Sequence, residues 1–250
     1  MILSLNTSTI QYSMALMEEN GVVMAEYFMT PGSKSFKGFM PTLDDLLTRS
    51  LQRVEHIESI IVATGPGSFT GLRVGLSAAK GFCQGLHIPI IGVSSLGAMA
   101  NQLPHTRHPI CPIINSRKGE VFAALFQWSD EGKMVRFKED ACLPMKDLPT
   151  FIDGKTLFLG NDINGQKPEI VKLCGRKALL APASLWNLRA SAVGALGLER
   201  FHQQDFDELR DLVPSYLRPP DIRPNPFPLL KDEPPPGPQV EGALTNHDRK

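Results

Sequence analysis

The chain has no surplus of either charge. Its 26 lysines and arginines are matched by 26 aspartates and glutamates, for a formal net charge of zero. A protein that grips nucleic acid unaided carries a broad basic footprint, so that class is excluded. Cysteine is scarce as well. Cys83, Cys111, Cys142 and Cys174 stand far apart, with no CxxC pair. That spacing excludes a disulfide scaffold and a zinc ribbon, and it fits a reducing compartment. No apolar run approaches the ~18 residues of a membrane span. The opening MILSLNTST lacks the positive n-region of a signal peptide. The expectation is a soluble, cytoplasmic protein with no membrane partner. Catalytic signatures are missing too. There is no HExxH helix, no GxSxG elbow and no complete GxxxxGK[ST] phosphate loop.

What is present is a chain of 250 residues with 42% apolar side chains, enough for one large core or two small ones. Its end differs from the rest. From Pro219 onward it carries nine of the 21 prolines, and a stretch so rich in proline is expected to be extended or disordered. The folded part should therefore end near Arg218.

That part opens with strands at Ile2 to Leu5, Tyr12 to Met17 and Val22 to Phe28, the last two joined by the turn EENG. Leu43, Leu46, Leu47, Ser50, Leu51 and Val54 recur on one helical face. A strand over Ser59 to Ala63 leads through TGPGSFTGLRVG into a second helix, about Phe69 to Leu86. A strand at Pro89 to Val93 and a short helix from Ser94 or Ser95 follow. The pattern then restarts. A shift of 109 residues lays NTSTIQYSMALM, from Asn6, over NSRKGEVFAALF, from Asn115. The second half continues with strands at Met134 to Glu139 and Thr156 to Gly160, and a closing helix from Ser184 to Phe201. An internal duplication predicts two α/β lobes, residues 1–104 and 105–218, with the closing helix able to pack back on the first lobe, and 219–250 as a tail.

Each lobe's first hairpin turn would face the interlobe cleft. In a two-lobed phosphotransferase such turns hold phosphates through hydroxyls and backbone N–H groups, and a carboxylate holds the metal's water. Here both first positions are Asn, a poor metal partner, which can instead close the turn through its own side chain. Asn6, Thr7, Ser8, Gly67, Ser68, Thr70 and Asn115 are the candidates for nucleotide contact. Pro66 removes one N–H from the glycine loop.

The helix behind the loop is more informative. Gly71, Gly75, Gly81 and Gly85 lie within it, at a cost of roughly 0.5–1 kcal/mol each, about 2–4 kcal/mol together. Gly71, Gly75, Ala78 and Ala79 share a face that Phe82 extends. Two readings stay open: close packing inside its own lobe, or a smooth surface for a partner, which with Leu46, Ser50 and Val54 would form a docking face. The flank bearing Arg73, Lys80 and Gln84 points elsewhere. His105 and His108 sit in a proline-bounded loop between lobes and read as solvated rather than metal-binding.

The strings ILSLNTST, GPGSFTGLRVGLSAAKG, IGVSSLGAMA, INSRKGEVFAALF and PSYLR, in that order, resemble the bacterial TsaB (YeaZ) family over nearly the whole chain before the proline-rich end. The resemblance implies the duplicated fold of actin-like ATPases, sugar kinases and Hsp70, related to ribonuclease H. It implies a non-catalytic scaffold in the formation of threonylcarbamoyladenosine next to the anticodon of ANN-reading tRNAs. The implied partners are a TsaD-like catalytic subunit, bound through the first lobe, and a TsaE-like ATPase. The tRNA would be met only through the complex, and the same faces could pair as a homodimer in isolation. No metal site and no cofactor of its own are implied, with ATP and a metal ion belonging to the partner subunits. Family members commonly carry Asp where this chain has Asn6 and Asn115, and often HSERLLP where it reads SKSFKGFMP. The competing expectation is an ATP-dependent small-molecule kinase of the same fold, or more remotely a metalloprotease.

Overall fold

The computed structural model describes residues 1–30, 36–117 and 119–218, with Lys37 described through its backbone. The proline-rich stretch from Pro219 lies outside the described residues.

The first lobe is a five-stranded sheet ordered β3-β2-β1-β4-β5. Its strands are β1 (Ile2–Asn6), β2 (Tyr12–Met17), β3 (Val23–Met29), β4 (Ser59–Gly65) and β5 (Ile90–Ser94). The second lobe holds β6 (Ile110–Asn115), β7 (Glu120–Trp128), β8 (Met134–Pro144), β9 (Thr156–Gly160) and β10 (Ala178–Leu180), ordered β10-β9-β6-β7-β8. Read from its far edge, that order repeats the first. In both lobes the opening strand lies centrally, antiparallel to the second strand and parallel to the fourth. The 109-residue shift is therefore a true structural repeat, and the chain has the duplicated two-lobe, actin-like fold.

Alternation along β4 shows how the layers assemble. Ile60 and Val62 face one core, with Leu43 and Leu46 of α1 (Phe39–Arg49) and Leu76, Ala79 and Cys83 of α2 (Phe69–Leu86). Ile61 and Ala63 face the other, with α3 (Ser95–Asn101) and α6 (Ala190–His202). A strand buried on both faces must be apolar throughout rather than alternating, and IIVA is. The second core runs on without a break into Ile113, Phe122, Phe158 and Trp186 of the second lobe. The remaining helices, α4 (Leu148–Phe151) and α5 (Ile163–Cys174), belong to the second lobe.

Several elements depart from expectation. The helical face read from Leu43 through Leu51 and Val54 is cut short, because α1 ends at Arg49 and Leu51 turns outward with φ 53°. The closing helix begins at Ala190 rather than Ser184, and α4 and β10 were not foreseen. The third strand of the second lobe runs on to Pro144, and α5 has no forerunner in the sequence reading. Pro168 and Gly165 lie inside α5 and blur its period. The Asp162 side chain accepts the Gly165 N–H at its start and fixes the helix regardless.

Candidate functional site

The hairpin turn after β1 is closed in on itself. Asn6, Thr7 and Ser8 are fully buried. The Asn6 carbonyl oxygen Oδ1 accepts from the Ser8 backbone N–H at 3.0 Å and the Ser8 hydroxyl at 2.7 Å. Its amide Nδ2 donates across to the Leu188 carbonyl at 2.9 Å. An aspartate here could accept those bonds but not donate one, and would bring an uncompensated charge against a buried carbonyl. That explains the amide in chemical terms.

The glycine loop lies on this turn. The Ser68 N–H donates to the Ser8 carbonyl at 2.7 Å. A side chain at Gly67 would fall on the same carbonyl. The Ser68 hydroxyl is used as the N-cap of α2, accepting from the Gly71 N–H at 3.2 Å. The loop's polar groups are thus spent on its own lobe. The expectation that Asn6, Thr7, Ser8 and Ser68 make a weak nucleotide contact is corrected here, because the first three are fully buried and Ser68 is already hydrogen-bonded; Gly67 is half-buried against the Ser8 carbonyl, and of the first-lobe candidates only Thr70 is exposed.

Asn115 is exposed and stands apart from that cluster. Its side chain accepts from Gln166 Nε2 at 2.8 Å, and its backbone N–H donates to Asn161 Oδ1 at 2.9 Å. Gln166 also donates to Asn161 Oδ1, at 3.0 Å. From the first lobe, Gln11 Nε2 donates to the Asn161 carbonyl at 3.2 Å. Ser13 Oγ joins Asn6 on the Leu188 carbonyl, at 3.3 Å. Neutral amides and hydroxyls therefore stitch the two lobes where a phosphotransferase would keep charged groups. Asn161 and Gln166 carry no motif, and the sequence reading missed them; Gln11 lies in the repeated string that starts at Asn6, but without a role assigned to it. Only their three-dimensional convergence marks them.

The smooth face of α2 points inward. Side chains at Gly71 and Gly75 would strike the Thr7 carbonyl and hydroxyl oxygens respectively. Leu46 and Ala79 are core residues, and Val54, Ala78 and Phe82 pack partly buried against that core. Ser50 is half-buried and returns its hydroxyl to the Leu46 carbonyl at 2.7 Å. So Gly71, Gly75, Leu46 and Ala79 cannot form a docking surface in this conformation. Of the two readings of these glycines, internal packing applies to the first pair. The second pair differs. Gly81 and Gly85 are exposed, and a Cβ at either would meet open space. With Val74, Ser77 and Ala78 they form the outward side of α2.

A strap that the sequence reading did not foresee runs over residues 205–218. The Asp207 N–H donates to the Ile90 carbonyl, extending the edge of β5. The Gly92 N–H donates to Asp207 Oδ2 at 2.7 Å, and Arg200 donates to both Asp207 oxygens and to the Gly92 carbonyl. Farther on, the Ser215 N–H donates to the Thr64 carbonyl at 2.8 Å. Tyr216 then lies against Phe69, with ring centroids 4.9 Å apart, and accepts from Arg73 Nε at 3.0 Å. The only forewarning was PSYLR, a string without a stated role. His105, between the lobes, stacks on Trp128 at 4.1 Å. Among the described residues no three His, Cys, Asp or Glu side chains are placed to hold a metal ion, and no helix is long and apolar enough to cross a membrane.

A family model described as TsaD, tRNA N6-adenosine threonylcarbamoyltransferase, matches residues 34–148. Over 220 residues the chain is 33% identical to the tRNA threonylcarbamoyladenosine biosynthesis protein TsaB of Bacillus subtilis (strain 168), covering 87% of this chain and 93% of that protein. The TsaB protein of Escherichia coli (strain K12) is similar at 34% identity over 133 residues, 52% of this chain and 57% of that one. Among solved structures, YeaZ from Pseudomonas aeruginosa aligns over 86% of this chain and 99% of its own, with a TM-score of 0.71 and 22% identity. The last agrees in fold. The identity with the Bacillus protein, sustained over nearly both chains, decides the family, and this chain belongs to the TsaB family.

Proposed function

We propose that the chain serves threonylcarbamoyladenosine biosynthesis as a non-catalytic subunit that binds and activates a TsaD-type catalytic partner. The observation that carries this reading is the near full-length similarity to the Bacillus TsaB protein. The closed turn at Asn6 and the amide-stitched lobe junction support a scaffold role over the kinase alternative. On this reading the chain acts in the cytoplasm without a cofactor of its own. A TsaE-type ATPase joins the complex, and ATP and metal belong to the partners.

The docking surface is the outward side of α2, at Val74, Ser77, Ala78, Gly81 and Gly85, together with the neighbouring α1. Exposed helix glycines cost about 1 kcal/mol each relative to alanine, and they return that cost only where another backbone comes close. The test is co-elution of the full-length chain with the TsaD-type protein of the same organism. Gly81→Leu projects a side chain into open space and leaves the fold intact, and it is expected to abolish the complex. Gly75→Leu is the wrong probe, since it drives a side chain into Thr7. A Gly81→Leu protein that binds TsaD as well as the parent does would remove this surface from consideration.

A further inference from the structure

The seam between α2 and the strap has a chemistry that the scaffold role leaves unused. Arg73 is exposed, yet its position is fixed. Its guanidinium lies 3.9 Å from the centroid of the Phe69 ring, and its Nε is held by Tyr216. No carboxylate pairs with it among the described residues. Stacking on a ring and a bond to a hydroxyl orient the guanidinium without neutralising its charge. Lys80 follows seven residues later on the same flank, about 10 Å along the helix axis, and its ammonium reaches the Arg210 carbonyl at 3.5 Å. Two residues beyond Tyr216, Arg218 ends the strap; Arg117 and then Arg218 hold the Glu120 carboxyl below its usual range, so part of the Arg218 charge is already answered. Between these cations the Tyr216 ring is 39% exposed.

Oriented guanidinium, spaced cations and an accessible ring form the combination that takes phosphates and stacks a base. We propose that the α2–strap seam contacts RNA directly, with Arg73 and Lys80 on phosphates and Tyr216 against a base. RNA is preferred over an acidic protein surface because an acidic surface has no use for the exposed ring. The choice of tRNA as that RNA rests on the pathway reading above. The neutral overall charge is consistent with a local strip that adds to binding within a complex rather than supplying all of it. Arg73 and Lys80 lie roughly 100° around the helix from Val74, Gly81 and Gly85, with Ser77 at the border between the two surfaces.

The experiment is filter binding of an unmodified tRNA transcript to the full-length chain in complex with the TsaD-type protein of the same organism, starting near 50 mM salt, with ultraviolet cross-links mapped by mass spectrometry. The parent is expected to retain tRNA and to cross-link at Tyr216 or Phe69. Lys80→Glu, and Arg73→Glu with Lys80→Glu, are expected to weaken retention about tenfold or more and to flatten the log–log salt dependence by about 1 for each phosphate lost. Lys80 has no ring contact, so its single variant guards against a folding defect. TsaD co-elution is measured on the same samples and should not change. Unaltered tRNA retention, cross-links that map elsewhere, or no retention by the parent would overturn the proposal. So would loss of TsaD with tRNA retention intact, which would make the seam a protein contact. Failure of TsaD binding by the parent would instead count against the pathway reading.

Discussion

Two glycines on one helix make opposite predictions. A methyl group at Gly71 would fall on the Thr7 carbonyl oxygen and stand 3.0 Å from Phe36 Cζ. That carbonyl cannot retreat, because Thr7 is fully buried in a turn pinned on both sides by Asn6 and Ser68. Overpacking of this kind costs about 1–3 kcal/mol, and contact with backbone puts it at the upper end. Alanine recovers about 1 kcal/mol of helix propensity, so Gly71→Ala should lose about 2 kcal/mol net. Gly81→Ala meets open space and should gain about 0.5–1 kcal/mol. For a chain of this size each kcal/mol moves the melting point by about 2–4 °C. Gly71→Ala should therefore melt about 4–8 °C below the parent, and Gly81→Ala a few degrees above it. Differential scanning calorimetry on the three proteins measures this directly. Equal melting points for the two variants would refute the assignment of inward and outward faces, and the docking surface with it.

Titration and thiol chemistry offer independent checks. Burial raises the Asp140 carboxyl above its ordinary range, against the opposing pull of Arg136. Between the ordinary and raised values, the folded protein keeps a proton that the unfolded chain has released, so stability falls as pH rises through that window. Asp140→Asn should flatten this slope in urea melts taken across mildly acidic pH, and an unchanged slope would place the titration elsewhere. Burial also pushes the Cys83 thiol up to about 12 and raises Cys111 and Cys174. The half-buried Cys142 should therefore react first with a thiol reagent at pH 8. Labelling of Cys111 in the folded protein at a comparable rate would contradict the packing described.

The architecture was legible where periodicity had length to work with. β4 and α2 stood out because one is apolar on both faces and the other repeats over several turns. The duplication was readable because each lobe begins with the same strand-to-turn transition at Asn6 and Asn115. Which face of α2 points inward was not readable. Gly71 and Gly81 have the same chemistry in a sequence, and only the position of Thr7 separates them. The amide junction was hidden for a related reason. Gln11, Asn161 and Gln166 are ordinary polar residues until tertiary packing brings them together from distant parts of the chain. The strap carries no period, because its hold on the first sheet comes from single bonds, Asp207 to β5 and Ser215 to Thr64 of β4, rather than from a repeating ladder.

The strap also bears on how the molecule is made. The first lobe comes first in synthesis, yet its Asn6 amide is satisfied by Leu188, 182 residues later. Its β5 edge is covered by Asp207, and its Thr64 carbonyl by Ser215. Domains usually fold as units in the order in which they leave the ribosome. Here the lobe made first is completed last. From the emergence of β5 until that of Asp207 a nascent chain carries an open sheet edge, and the Asn6 amide lacks its partner until Leu188 follows, so exposure to aggregation is prolonged through the synthesis of the second lobe.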